Sequence, residues 1–168
     1  MKNKYVIKLT LSGMLIALGV SLSTFYIPIG PAKCFPIQHL INVLSAVLLG
    51  PVYGICNAFL ISLIRNMSGL GSLLAFPGSM IGALFAGLLY KIFKNIYIGA
   101  LGELIGTGII GSIVAYYVAN LLMGKNLATI LALVIPFFIS SLSGVVIAVV
   151  ILKISPLKTI IFKEAKIY

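Results

Sequence analysis

Glu103 is the only acidic residue in an apolar stretch; the chain's other acid, Glu164, sits in a basic C-terminal tail. A charged side chain at the centre of a bilayer costs about 2.5–3.5 kcal/mol or more, so an intramembrane carboxylate is a functional candidate by default. It stands beside Gly102, with Gly106 and Thr107 one turn on. His39, the only histidine, belongs to the run PIGPAKCFPIQHLIN, residues 28–42, together with Lys33, Gln38 and Asn42. On a helix starting near Ile37, Gln38 and Asn42 are four residues apart and share a face. Arg65-Asn66 and the run LLAFPGSM, residues 73–80, with Phe76 and Ser79, complete the set. An aromatic ring with a few amide and imidazole groups suits a small, flat, weakly polar solute. Glu103 or His39 is also equipped to carry a proton. Blander roles stand beside these. Arg65 can snorkel to an interface, and Glu103 can bond a neighbouring helix.

Other chemistry is missing. No G-x-x-x-x-G-K-[ST] loop is present, so ATP hydrolysis is not expected of this chain. There is no H-E-x-x-H and no nucleophile–base pair at a convincing spacing. Cys34 and Cys56 are 22 residues apart with no CxxC or His/Cys cluster, so they read as isolated thiols and no metal is expected. The basic start precedes an apolar run too long for a signal-peptide core, and no A-x-A site follows it, so cleavage is not expected.

The elements that must position these residues follow from composition. With 61% hydrophobic and 8% charged residues, the chain has too few charges to cover a soluble surface. A net charge of +10 raises nucleic acid as a partner, but the cations cluster at the termini and between apolar runs, which points to the lipid bilayer instead. Residues 9–32, 34–64, 66–90, 104–124 and 126–152 are uncharged. Each reaches the roughly 18–20 residues that cross a bilayer as a helix. Kept whole from Ile37, the second run would make a helix about 42 Å long. Gly50-Pro51 and Gly54 interrupt it, and proline in a helix interior removes a hydrogen bond and clashes.

Splitting there gives six spans, near 8–27, 37–50, 52–66, 73–91, 97–122 and 129–152. Both termini are then cytoplasmic, with a basic tail over 153–168 against the inner leaflet. The inside collects Lys2, Lys4, Lys8, Lys91, Lys94, Lys153, Lys158, Lys163 and Lys166, and the outside only Lys33, Arg65 and Lys125. That ratio of nine to three beats the seven to five of a five-span chain, and cytoplasmic loops are enriched in Lys and Arg. The prediction is one all-α integral membrane domain, residues 1–168, whose polar segments converge at the outer face. Glu103 lies about 9 Å up the fifth helix from the inner side, not obviously level with His39. Small-xxx-small runs in the first span (Gly13, Ala17, Ser21), the fourth (Gly78, Gly82, Ala86) and the fifth serve close helix packing or face a partner.

PIGPAKCFPIQHLIN, LLGP at 48–51, RN at 65–66, LLAFPGSMIGAL at 73–84 and GELIGTGIIG at 102–111 resemble the ThiW family over about residues 5–155. The resemblance implies a substrate-binding S component of an energy-coupling-factor vitamin transporter in a prokaryotic cell membrane. It implies a six-helix S-component fold without a cofactor, and a thiazole precursor of thiamine (hydroxyethylthiazole) as solute. The implied partners are a transmembrane coupling protein and two cytoplasmic ATPases. In such families an A-x-x-x-A motif in the first helix meets the coupling protein. Gly13 and Ala17 are its nearest match here, with glycine in place of the first alanine. Lys33, Gln38, His39, Asn42, Arg65, Asn66, Phe76, Ser79 and Glu103 form the expected solute site, with Phe76 as a stacking face. Two other classes stay open: a stand-alone proton-coupled carrier using Glu103, and an intramembrane enzyme using His39 and Arg65.

Overall fold

A computed structural model describes residues 4–29 and 32–154. The expected basic tail beyond Ile154 lies outside the described residues. Among these, six helices follow one another. They are α1 (Lys4–Ser21, extended by a 3-10 turn over Leu22–Thr24), α2 (Pro36–Leu49), α3 (Pro51–Met67), α4 (Ala75–Phe93), α5 (Ile96–Leu121) and α6 (Leu131–Ile154). The first, fourth, fifth and sixth are long and apolar enough to cross a membrane. The other two are shorter, at 14 and 17 residues.

The break between α2 and α3 falls where Gly50-Pro51 placed it. Gly50 adopts φ 100°, a left-handed conformation that side chains resist. Pro51 then occupies the first turn of α3, where its missing N–H is not needed. At 1.5 Å per residue α2 is about 21 Å long, against about 39 Å for α5. Every residue of α2 except Ile37 is buried, and the helix touches all five others. Its apolar side chains Val43, Leu44, Val47 and Leu48 pack with Ile61, Tyr90, Ala100 and Val145 into the main core.

Two features depart from the expected helices. In the expected 28–36 connection and just before it, two short antiparallel strands pair, β1 (Ile27–Ile29) and β2 (Ala32–Cys34), with Pro28 opposite Lys33. Strands of three residues are too short to leave a period in the sequence, and the prolines suggested only a stiff loop. Within α5 a π-helical turn, Gly106–Gly111, joins two α-helical stretches. Such turns insert a residue into the helical register and frequently occur at functional sites.

The small residues divide by helix. Those of α4 and α5 hold the two helices in contact: a Cβ on Gly102 would stand 2.6 Å from the Phe85 carbonyl oxygen. On α1, by contrast, Gly13 and Ala17 are exposed, and a Cβ on Gly13 meets nothing within 4 Å. Gly102→Ala should therefore lower stability by about 1–3 kcal/mol through overpacking. Gly13→Ala should leave it unchanged or slightly raised. Thermal unfolding in detergent reads both, and equal melting temperatures would contradict the close α4–α5 packing.

Candidate functional site

Because α2 is short and enclosed, its N-terminal end stops well inside the bundle, and a cavity of about 510 Å³ opens above it. All three connections at that end help wall it. Lys33 and Phe35 come from the hairpin arm, Gly69, Leu70, Gly71 and Ser72 from the α3–α4 loop, and Lys125 and Leu127 from the α5–α6 loop. Gln38 and His39 of α2 and Arg65 of α3 add polar groups, as do Ser79 of α4 and Ser140 of α6. The hairpin arm is fastened to α6: Cys34 Sγ donates to the Pro136 carbonyl at 3.3 Å, and the Phe35 N–H donates to Ser140 Oγ at 2.8 Å. Pro136 interrupts the first turns of α6 and lines the cavity beside Phe137.

Arg65 does not snorkel. It is 1% exposed, its guanidinium lies 4.1 Å from the centroid of the Phe35 ring, and Nη1 donates to Gln38 Oε1 at 2.8 Å. Among the described residues its Nε and Nη2, and Gln38 Nε2, find no hydrogen-bond partner. Stacking on an aromatic face suits the planar guanidinium and fixes its orientation.

Behind His39 lies a second polar cluster. Glu103, fully buried, accepts through Oε1 from His39 Nδ1 at 2.9 Å, Asn42 Nδ2 at 3.0 Å and Thr107 Oγ1 at 2.9 Å. Asn42 Nδ2 also donates to the Ser79 carbonyl at 3.2 Å. Thr107 Oγ1 lies 3.0 Å from the Gly78 carbonyl, so its single proton serves one of two acceptors. The absence of a side chain on Gly82 makes the arrangement possible, because a Cβ there would stand 2.1 Å from Thr107 Oγ1 and 2.5 Å from Glu103 Oε2.

His39 and Glu103 are thus level, contrary to the depth estimate from the sequence. That estimate measured depth along the fifth helix alone, whereas the level of His39 depends on how far down the bundle α2 begins. Of the expected site residues, Lys33, Gln38, His39, Arg65 and Ser79 line the cavity, and Asn42 and Glu103 sit behind its wall. Asn66 Nδ2 instead donates to the Ser62 and Ser72 carbonyls at 2.8 and 3.0 Å, bracing the α3–α4 loop. Phe76 packs against Phe59 at 5.7 Å and is not among the lining residues. The aromatic walls are Phe35 and Phe137, which sequence reasoning passed over. For Phe137 the available signal was the proline before it in an otherwise uninterrupted span. Lys125 had been counted only as a loop charge.

The bundle is similar to a solved structure described as "Structure and mechanism of the S component of a bacterial ECF transporter". The TM-score is 0.76 at 20% identity, over 89% of this chain and 95% of that one. The fold class is therefore that of an S component. The family model of the thiamine-precursor transporter protein ThiW matches residues 9–157, and the chain belongs to the ThiW family. No curated protein matches the sequence. The chain is a multi-pass membrane protein of a transporter family, and the reading as an intramembrane enzyme falls.

The Glu103 cluster carries a stability test. Glu103→Ala removes the shared acceptor of His39, Asn42 and Thr107 and should cost about 2–4 kcal/mol. Glu103→Gln keeps one carbonyl acceptor and should cost clearly less. Thermal unfolding of both purified variants checks the order; wild-type stability in Glu103→Ala would show that the cluster holds nothing together.

Proposed function

We propose that this chain is the solute-capture component of an ATP-driven importer of the energy-coupling-factor type, taking up hydroxyethylthiazole or a related thiamine precursor. The observation that carries this reading is the cavity over the N-terminal end of α2, with polar groups on its floor and aromatic walls. It has room for a small heteroaromatic solute. The family supports the solute class, and the fold supports the component.

Within this reading the six helices form a single transmembrane domain with both termini cytoplasmic, supported by the nine-to-three distribution of cations. The cavity then opens outward. Such a short helix as α2 fits because five others shield it, so its backbone ends do not meet lipid. His39, Gln38, Arg65 and Ser79 hydrogen-bond the solute, Phe35 and Phe137 flank its ring, and Lys33 stands at the mouth. Glu103 holds the His39 ring, Asn42 braces Glu103, and Asn66 fixes the loop. The exposed Gly13–Ala17 face of α1 meets the transmembrane coupling protein, and two ATPase subunits on that protein drive the toppling that releases solute inside.

The hydrogen-bonded Glu103–His39 pair favours one second reading, a stand-alone proton-coupled carrier. Uptake into liposomes without an ATPase would select it, whereas co-purification with an ATPase module selects the capture component.

Radiolabelled hydroxyethylthiazole should bind the purified protein saturably, and His39→Ala should weaken that binding about tenfold, the loss of one good hydrogen bond. No saturable binding of the thiazole or of any related precursor rejects the solute class. Gly13→Leu should leave binding intact while abolishing ATP-driven uptake by the assembled transporter. Undiminished uptake would remove α1 from the coupling role.

A further inference from the structure

The floor of the cavity has a charge that no carboxylate pairs with among the described residues. Arg65 is 1% exposed, and its bonded partner, Gln38, is neutral. Among the described residues no ion pair reaches it; the one acidic side chain, Glu103, is engaged through Oε1 by His39, Asn42 and Thr107. A guanidinium sealed in a low-dielectric interior is costly unless an opposite charge meets it. Among the described residues two of its donor atoms, Nε and Nη2, have no partner, and neither has Nε2 of the Gln38 amide that it bonds. Nε and one Nη of a guanidinium form the fork that grips two oxygens of a carboxylate or phosphate. The stack on Phe35 holds the guanidinium plane in place. Lys33 and Lys125 are the other charged residues of the lining, and no carboxylate joins them.

We propose that the cavity selects an anionic solute, with a carboxylate or phosphate group seated on the Nε–Nη2 edge of Arg65 and the amide of Gln38. This rests on the capture reading above and narrows it: the favoured precursor is a thiazole bearing an acid group in place of the neutral alcohol. The ring lies between the aromatic walls, and Lys33 and Lys125 raise the local concentration of anions at the mouth. Neutral thiazoles leave the guanidinium without a counter-charge and bind more weakly.

Isothermal titration of the purified full-length protein tests this with four probes. They are hydroxyethylthiazole, its phosphate ester, a methylthiazole carboxylate, and inorganic phosphate. At least one of the two acidic thiazoles should bind about tenfold or more tightly than the alcohol, the difference expected of a charge-assisted fork. Which of the two wins identifies the acid group. That preference should vanish in Arg65→Gln and persist in part in Arg65→Lys. Alcohol binding as tightly as both acids overturns the anion proposal and leaves the capture function standing. No binding by any thiazole overturns both. Inorganic phosphate binding as tightly as the ester overturns the thiazole assignment, and a preference that survives Arg65→Gln overturns the placement at Arg65. Should Arg65→Gln fail to fold, the wild-type series and Arg65→Lys decide.

Discussion

A polar atom left unpaired inside an apolar bundle is costly, and Glu103 Oε1 gathers three polar groups around it. His39 and Asn42 reach it from α2, and Thr107 from the next turn of α5, while on α4 the Ser79 carbonyl takes the second proton of Asn42 and the Gly78 carbonyl competes for the Thr107 proton. For this to happen α4 must come close enough to α5 that only glycine fits at position 82. The π-helical turn begins at Gly106, immediately after the stretch that carries Glu103, and so resets the register of α5 at the cluster. The His39 ring is consequently oriented from behind by a carboxylate, while its other side helps to line the cavity.

The second determinant is length. Because α2 spans about half the extent of α5, the bundle is solid at one end and hollow at the other. The solid half is filled by aliphatic side chains around Val43 and Val47. Above the α2 N-terminus the same packing would leave a void, and the chain walls it with a hairpin and two loops instead. A hydrophobic drive is weak between helices in lipid, so the site owes its rigidity to close van der Waals contact and buried hydrogen bonds. The Cys34–Pro136 and Phe35–Ser140 bonds and the clamp of Asn66 on the α3–α4 loop are of this second kind.

Much of this architecture can be read from the residues. Gly50-Pro51 marks the helix break by its backbone requirements alone, and the uncharged runs mark the helices. The polar residues in those runs also gather as expected, because a scarce polar group in a membrane bundle has few places to go. Other features leave no such trace. A hairpin of three-residue strands has no period to detect, and a π turn differs from an α-helix by one inserted residue. The pairing of His39 with Glu103 depends on how deeply a short helix is set, which is a matter of packing. Phe76 and Phe137 are each next to a proline at the same end of the bundle, and only the rotation of α4 and α6 decides which ring turns inward.

One consequence follows from the position of α1. No residue of α1 lines the cavity, and its links inward include a small cluster in which Ser12 bonds Asn57, which bonds Ser45. The cavity wall and the exposed face bearing Gly13 and Ala17 are therefore built from different helices. Selection can act on one without disturbing the other. Residues of the cavity wall on α2, α3, α4 and α6 can thus be exchanged while the exposed face of α1 is inherited intact.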